Sequence, residues 1–162
     1  MYGQQVPLAD PRQEAMALRR RLESRQNVFL AIAGASVGAA VGAALWAVVT
    51  VVTNIQIGFM AVGVGWLVGQ LTWHLGRGLT PVYGVIGALF ALAGCVVGNL
   101  LSACYFVSQL PEVDLTFWQV IGRLDGELFK ILMDATFHPI DILFYLIAVY
   151  EGWRFSFRKL AI

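Results

Sequence analysis

Two groups of polar side chains in this chain have the types and spacing for chemistry. Gln70, His74 and Arg77 close one apolar run, and Glu151 lies about a turn and a half from the end of another. A carboxylate facing hydrocarbon at that depth is costly. Glu151 is therefore expected to pair with His74 or Arg77, to pair locally with Arg154 three residues on, or to snorkel to the headgroups. A carboxylate–imidazole pair could handle protons or ions, but the local, structural version is the preferred expectation. The second group, Asn54, Gln56, Asn99, Ser102 and Asp141, comes to similar depth at the opposite end. It could form a polar pocket closed by an amphipathic segment. More often, such groups tie a tight turn and neighbouring helices together by hydrogen bonds, and that reading is preferred. Asp141, two residues after Pro139, suits the positive end of a helix dipole.

Enzyme chemistry has little support. His74 and His138 are the two histidines, and neither stands in an HExxH arrangement. No G-x-S-x-G elbow occurs, and Ser36, Ser102, Ser108 and Ser156 have no evident base. The G-x-G at Gly63–Gly65 falls inside an apolar run, which rules out a phosphate loop. Cys95 and Cys104 would lie about 13 Å apart along one helix, too far to bridge, and read as buried small hydrophobes. With no CxxC or Cys/His cluster, no catalytic residue, metal or cofactor is expected.

The elements that must carry these residues are membrane elements. The 162-residue chain is 59% hydrophobic and 13% charged, against about 25% charged in soluble domains. Val28–Thr53 is 26 residues without a charge, too long and too apolar for a soluble core helix. The polar leader before it is long for a signal peptide, so this run is expected to stay in the mature protein as a transmembrane helix. Asp10 reads as an N-cap with Pro11 and Gln13 behind it, opening a basic helix to about Arg25 that runs on into the first span. The fold expected is all-α, with spans at about 28–53, 57–75, 82–107 and 139–157. Residues 1–27 form a basic segment and 28–158 the membrane domain.

Between the third and fourth spans, residues 112–135 place Leu115, Trp118, Ile121, Leu124, Leu128 and Ile131/Leu132 at helical period opposite charged residues. That pattern predicts one or two amphipathic helices lying at the membrane surface, broken at Gly122 or Gly126. Four crossings bring nine of the eleven Lys/Arg to one side, and the positive-inside rule then makes both termini cytoplasmic. The basic residues lie where topology would place them, so a nucleic-acid partner is not expected.

Small residues dominate the remaining pattern. Gly34, Gly38 and Gly42 repeat at four-residue spacing, as do Gly65/Gly69 and Gly94/Gly98. In lipid, helices associate through close backbone approach and dispersion, which such residues permit. Packing within one chain is preferred over contact between copies, and a glycine-lined pore ranks below both.

Three stretches, Asn54–Gly69 (NIQIGFMAVGVGWLVG), Gly94–Ser102 (GCVVGNLLS) and Asp141–Phe157 (DILFYLIAVYEGWRFSF), resemble segments of a family of uncharacterised bacterial integral membrane proteins. Some members carry an added N-terminal soluble or zinc-ribbon part, and a role located in that part is not expected to transfer. The resemblance covers roughly 45–107 and 136–158 and implies a bacterial inner-membrane protein; it implies no activity. The expected role is a small polytopic membrane protein, in contact with lipid, that works by assembly with itself or another membrane protein. The alternative is a channel or carrier for an ion or small solute.

Overall fold

The structure is a computed structural model that describes residues 11–55 and 58–158. Asp10 as a cap, Gln56 in the turn and Lys159 at the basic end fall outside the described residues. Those residues form seven helices and no strand: α1 (Pro11–Glu23), α2 (Val28–Thr53), α3 (Met60–Gly76), α4 (Pro81–Ser108), α5 (Phe117–Gly122), α6 (Gly126–Thr136) and α7 (Pro139–Phe155).

Local chemistry sets the boundaries. Contrary to the sequence expectation, α1 does not run on into α2, because the Asn27 side chain caps a new helix by accepting from the Leu30 N–H at 3.1 Å. α2 stops where Asn54 turns left-handed at φ 53°, a conformation Asn tolerates better than most residues. α3 starts at Met60 and ends against Arg77, also left-handed at φ 52°. Proline opens α4 and α7 at positions where the missing N–H costs nothing. The polar interval breaks into two helices at residues 123–125. Gly122 closes α5, and Asp125 caps α6 by accepting from the Leu128 N–H at 2.7 Å. α7 ends two residues before the expected boundary, as the Arg158 N–H turns aside to the Gly78 carbonyl at 3.1 Å.

α2, α3, α4 and α7 run in alternating directions and pack as a diamond. α3 and α4 form the short diagonal, and each touches both α2 and α7. No Cα of α2 comes within 8 Å of a Cα of α7. α2 and α4, with 26 and 28 residues, are about 39 and 42 Å long; α3 and α7, with 17 each, reach only about 26 Å. The length difference leaves a shelf at one end, where α4 rises past the start of α7. α5 and α6 occupy it, burying Val120 and Leu132 with Ala103 and Cys104 of α4. α6 meets α7 at a bend of 102°, so it lies across the bundle rather than along it. Because α5 and α6 are separate, one apolar stripe does not run through both. Trp118 and Ile131, which periodicity places on the apolar face, are not packed against α4 but are 76% and 62% exposed.

α2 and α4 are each long and apolar enough to cross a membrane; α6 and α7 together would be a third such segment if they count as one broken span.

Candidate functional site

The middle of the diamond is closed by backbone-to-backbone packing. A Cβ added at Gly38 would sit 2.9 Å from the Val68 Cα, and one at Gly34 would meet the Leu71 carbonyl; Gly42 faces the Val64 side chain. All three therefore serve the α2–α3 contact. Gly94 and Gly98 lie against Ala39, Ala43 and Trp46, bringing α4 onto α2. Gly65 faces the Ala148 backbone and Gly69 faces Phe155, bringing α3 onto α7. The seven glycines singled out in the sequence thus all point into contacts within this chain. Two others matter as much: a Cβ on Gly152 would come within 3.0 Å of the Gly87 carbonyl carbon. Four-residue spacing does not reveal them, because neither repeats at that interval with another glycine of its own helix.

Above this waist, toward α5 and α6, the interior turns polar. Asn99 is 1% exposed, and its amide donates to the Thr136 hydroxyl at 3.1 Å, which in turn donates to the Leu132 carbonyl at 2.7 Å. A buried amide without partners would cost several kcal/mol on apolar transfer scales, roughly 4–8, so this relay ties the end of α6 to α4. Ser102 donates to the Gly98 carbonyl of its own helix. Asp141 is buried, and its carboxylate accepts from the His138 N–H at 2.8 Å as the helix-start reading anticipated. Asn54 is exposed at the end of α2. Two polar groups that periodicity did not single out complete the cluster: Trp46 Nε1 and Thr50 Oγ1 are buried with no hydrogen-bond partner among the described residues.

The opposite end differs from expectation. Glu151 is half-buried and makes no ion pair with His74, Arg77 or Arg154. Its backbone faces Gly69 of α3, whereas His74, five residues on, is rotated by roughly 140° away from that contact. His74 Nδ1 instead donates to the Gln70 carbonyl at 2.7 Å, and the ring stands edge to face on Trp73.

What does assemble here is a cavity of about 460 Å³ that Arg77, His74 and Trp73 share with Arg25 and Arg158. Three strands of chain far apart in sequence build its walls. The Asn27 N–H donates to the Gly76 carbonyl at 3.0 Å, the Leu79 N–H to the Gln26 side chain at 3.1 Å, and the Arg158 N–H to Gly78. The Arg158 guanidinium lies 3.9 Å over the Trp73 ring, a cation–π stack. Among the described residues no three His, Cys, Asp or Glu side chains are grouped to hold a metal. Comparison with family models, curated proteins and solved structures finds no match to this chain.

Proposed function

We propose that the chain is a four-span protein of the bacterial inner membrane, a member of the uncharacterised family its segments resemble, with both termini cytoplasmic and α5–α6 on the outer face. In this reading α3 and α7 cross beside α2 and α4, with the shorter pair completed at the outer leaflet by the α5–α6 shelf. The protein works by assembly with a second copy or another membrane protein, and not by catalysis.

The observation that carries this reading is the filled waist. Gly38 on Val68, Gly65 on Ala148 and Gly87 on Gly152 leave no room there for a wet path, and a carrier needs a water-accessible site near the midplane. Assembly must then use surfaces other than the Gly34–Gly42 face. A shallow groove of about 270 Å³ between α2 and α4, lined by Ser36, Ala40, Phe90 and Ala93, offers small residues on the outside of the bundle.

The second reading, a carrier for an ion or small solute, draws on the half-buried Glu151 at one end and on the buried polar groups Trp46, Thr50, Asn99 and Asp141 in the outer half. One set of measurements on purified, reconstituted protein separates the two. The assembly reading expects a detergent-corrected mass above the monomer that Ala40→Trp reduces, and no proton or cation flux into liposomes. A monomer whose flux falls in Glu151→Gln would overturn it. For topology, Arg20→Cys is expected to resist a membrane-impermeant thiol label applied to intact cells; Cys95 and Cys104 are buried and stay silent.

A further inference from the structure

The cavity at the arginine-rich end has a ligand chemistry of its own. Among the described residues Arg25, Arg77 and Arg158 line it, no carboxylate does, and none of the three has an acidic partner. Three guanidinium groups around one space repel each other, and an anion relieves that repulsion. Phosphate fits best, since the planar guanidinium fork bonds its oxygens bidentately. Stacking on Trp73 fixes the plane of Arg158, so less side-chain freedom is lost when its N–H edge is engaged.

The walls behind these charges are carbon: Leu22, Leu79 and the Trp73 ring. A free inorganic anion gains nothing from such walls, whereas an amphiphile does. The position agrees. Arg25 lies three residues before the apolar run of α2, and Arg77 follows the last residue of α3. That level is where headgroups sit and where basic residues between helices recruit anionic lipids. A volume of about 460 Å³ falls within the ~300–1,000 Å³ typical of small-molecule sites.

We propose that this cavity binds the phosphate headgroup of an anionic phospholipid, with Arg25, Arg77 and Arg158 on the phosphate and the lipid's glycerol and upper acyl carbons against Leu22, Leu79 and Trp73. The site rests on the membrane reading above, because its lipid is supplied by the surrounding leaflet.

The test uses the full-length protein in a neutral detergent, titrated with phosphatidylglycerol, phosphatidylcholine or inorganic phosphate, with bound ligand counted by native mass spectrometry. Phosphatidylglycerol is expected to bind at least tenfold more tightly than phosphatidylcholine. Arg77→Gln and Arg158→Gln should each weaken it threefold or more, while Arg123→Gln, at the far end, leaves it unchanged. Equal retention of the two lipids overturns the site, as does an equal loss in Arg123→Gln. Inorganic phosphate binding as tightly as phosphatidylglycerol overturns the lipid assignment in favour of a free anion. The three arginines are exposed, so lipid-free melting should not move; if Arg77→Gln or Arg158→Gln does shift it, Arg25→Gln is the variant that decides. Carbonate extraction of native membranes keeps the two readings apart. Release of the protein sinks the membrane reading, whereas retention without lipid selectivity sinks only the cavity assignment.

Discussion

Trp46 of α2 and Tyr145 of α7 meet edge to face with ring centroids 6.3 Å apart, across a gap that their helix backbones nowhere close to within 8 Å. The diamond leaves its two outer helices too far apart to touch, and the largest side chain in the chain spans the space. Trp46 is 0% exposed, and Tyr145 also meets Phe137 at 5.6 Å at the head of α7. These rings form the floor of the polar half toward α5 and α6.

Trp46→Ala should therefore be among the most damaging single changes, costing about 3–5 kcal/mol for the removed contacts and the cavity left behind. Tyr145→Phe keeps the ring and loses only a long 3.4 Å bond to the Cys95 carbonyl, so it should cost under about 1 kcal/mol. Thermal melts in one detergent compare the two, and equal small losses would show that the gap is not bridged.

Glycines two residues apart on α3 should respond in opposite ways. A Cβ at Gly65 would come 2.8 Å from the Ala148 Cα, whereas one at Gly63 meets nothing within 4 Å. Gly65→Ala is expected to force α3 and α7 apart and lower the melting temperature. Gly63→Ala should be neutral or gain up to about 1 kcal/mol from helix propensity. A tolerated Gly65→Ala would mean that the helices do not approach this closely.

The α5–α6 shelf has a built-in reporter in Cys104, which is 1% exposed beneath Val120 and Leu132. Leu132→Ala removes part of the cover, and Thr136→Val takes away the hydroxyl that Asn99 donates to. Both should speed maleimide labelling of Cys104 in detergent while Cys95, deep in the bundle core, stays protected. Unchanged labelling of Cys104 in both variants would place the shelf elsewhere.

Asp141 tests whether a buried carboxylate here is a cap or a reactive group. Its bond from the His138 N–H is one that an uncharged side chain can also accept. Asp141→Asn should retain most of the stability, and Asp141→Ala should lose about 1 kcal/mol. If Asn and Ala destabilise alike, the negative charge matters and the capping account fails.

Much of the architecture was legible in the residues because helix formation in an apolar run is local. The uncharged stretch 28–53 became α2 with the same bounds, Pro139 opened α7 as expected, Pro81 opened α4 one residue ahead of the expected start at 82, and Gly122 and Gly126 flanked the break in the polar interval. The placement of polar groups was legible only in part. Asp141 as a helix-start carboxylate depends on its own neighbours and follows from sequence, as does the close-packing use of Gly34, Gly38 and Gly42. The pairing of Glu151 with His74 did not follow, because two helices sharing an end can still present those residues to different sides.

Sequence alone determined that apolar helices dominate, the bounds of α2 and the start of α7, and which helix faces are small enough for close approach. Each of these depends on residues within a few turns of one another. The tertiary structure decided that α3 and α4 take the short diagonal, that Trp46 fills the gap this leaves, and that Arg25, Arg77 and Arg158 surround one cavity. Those outcomes depend on the relative rotation and height of helices far apart in the chain. Packing settles that rotation, and periodicity within a single helix carries no record of it.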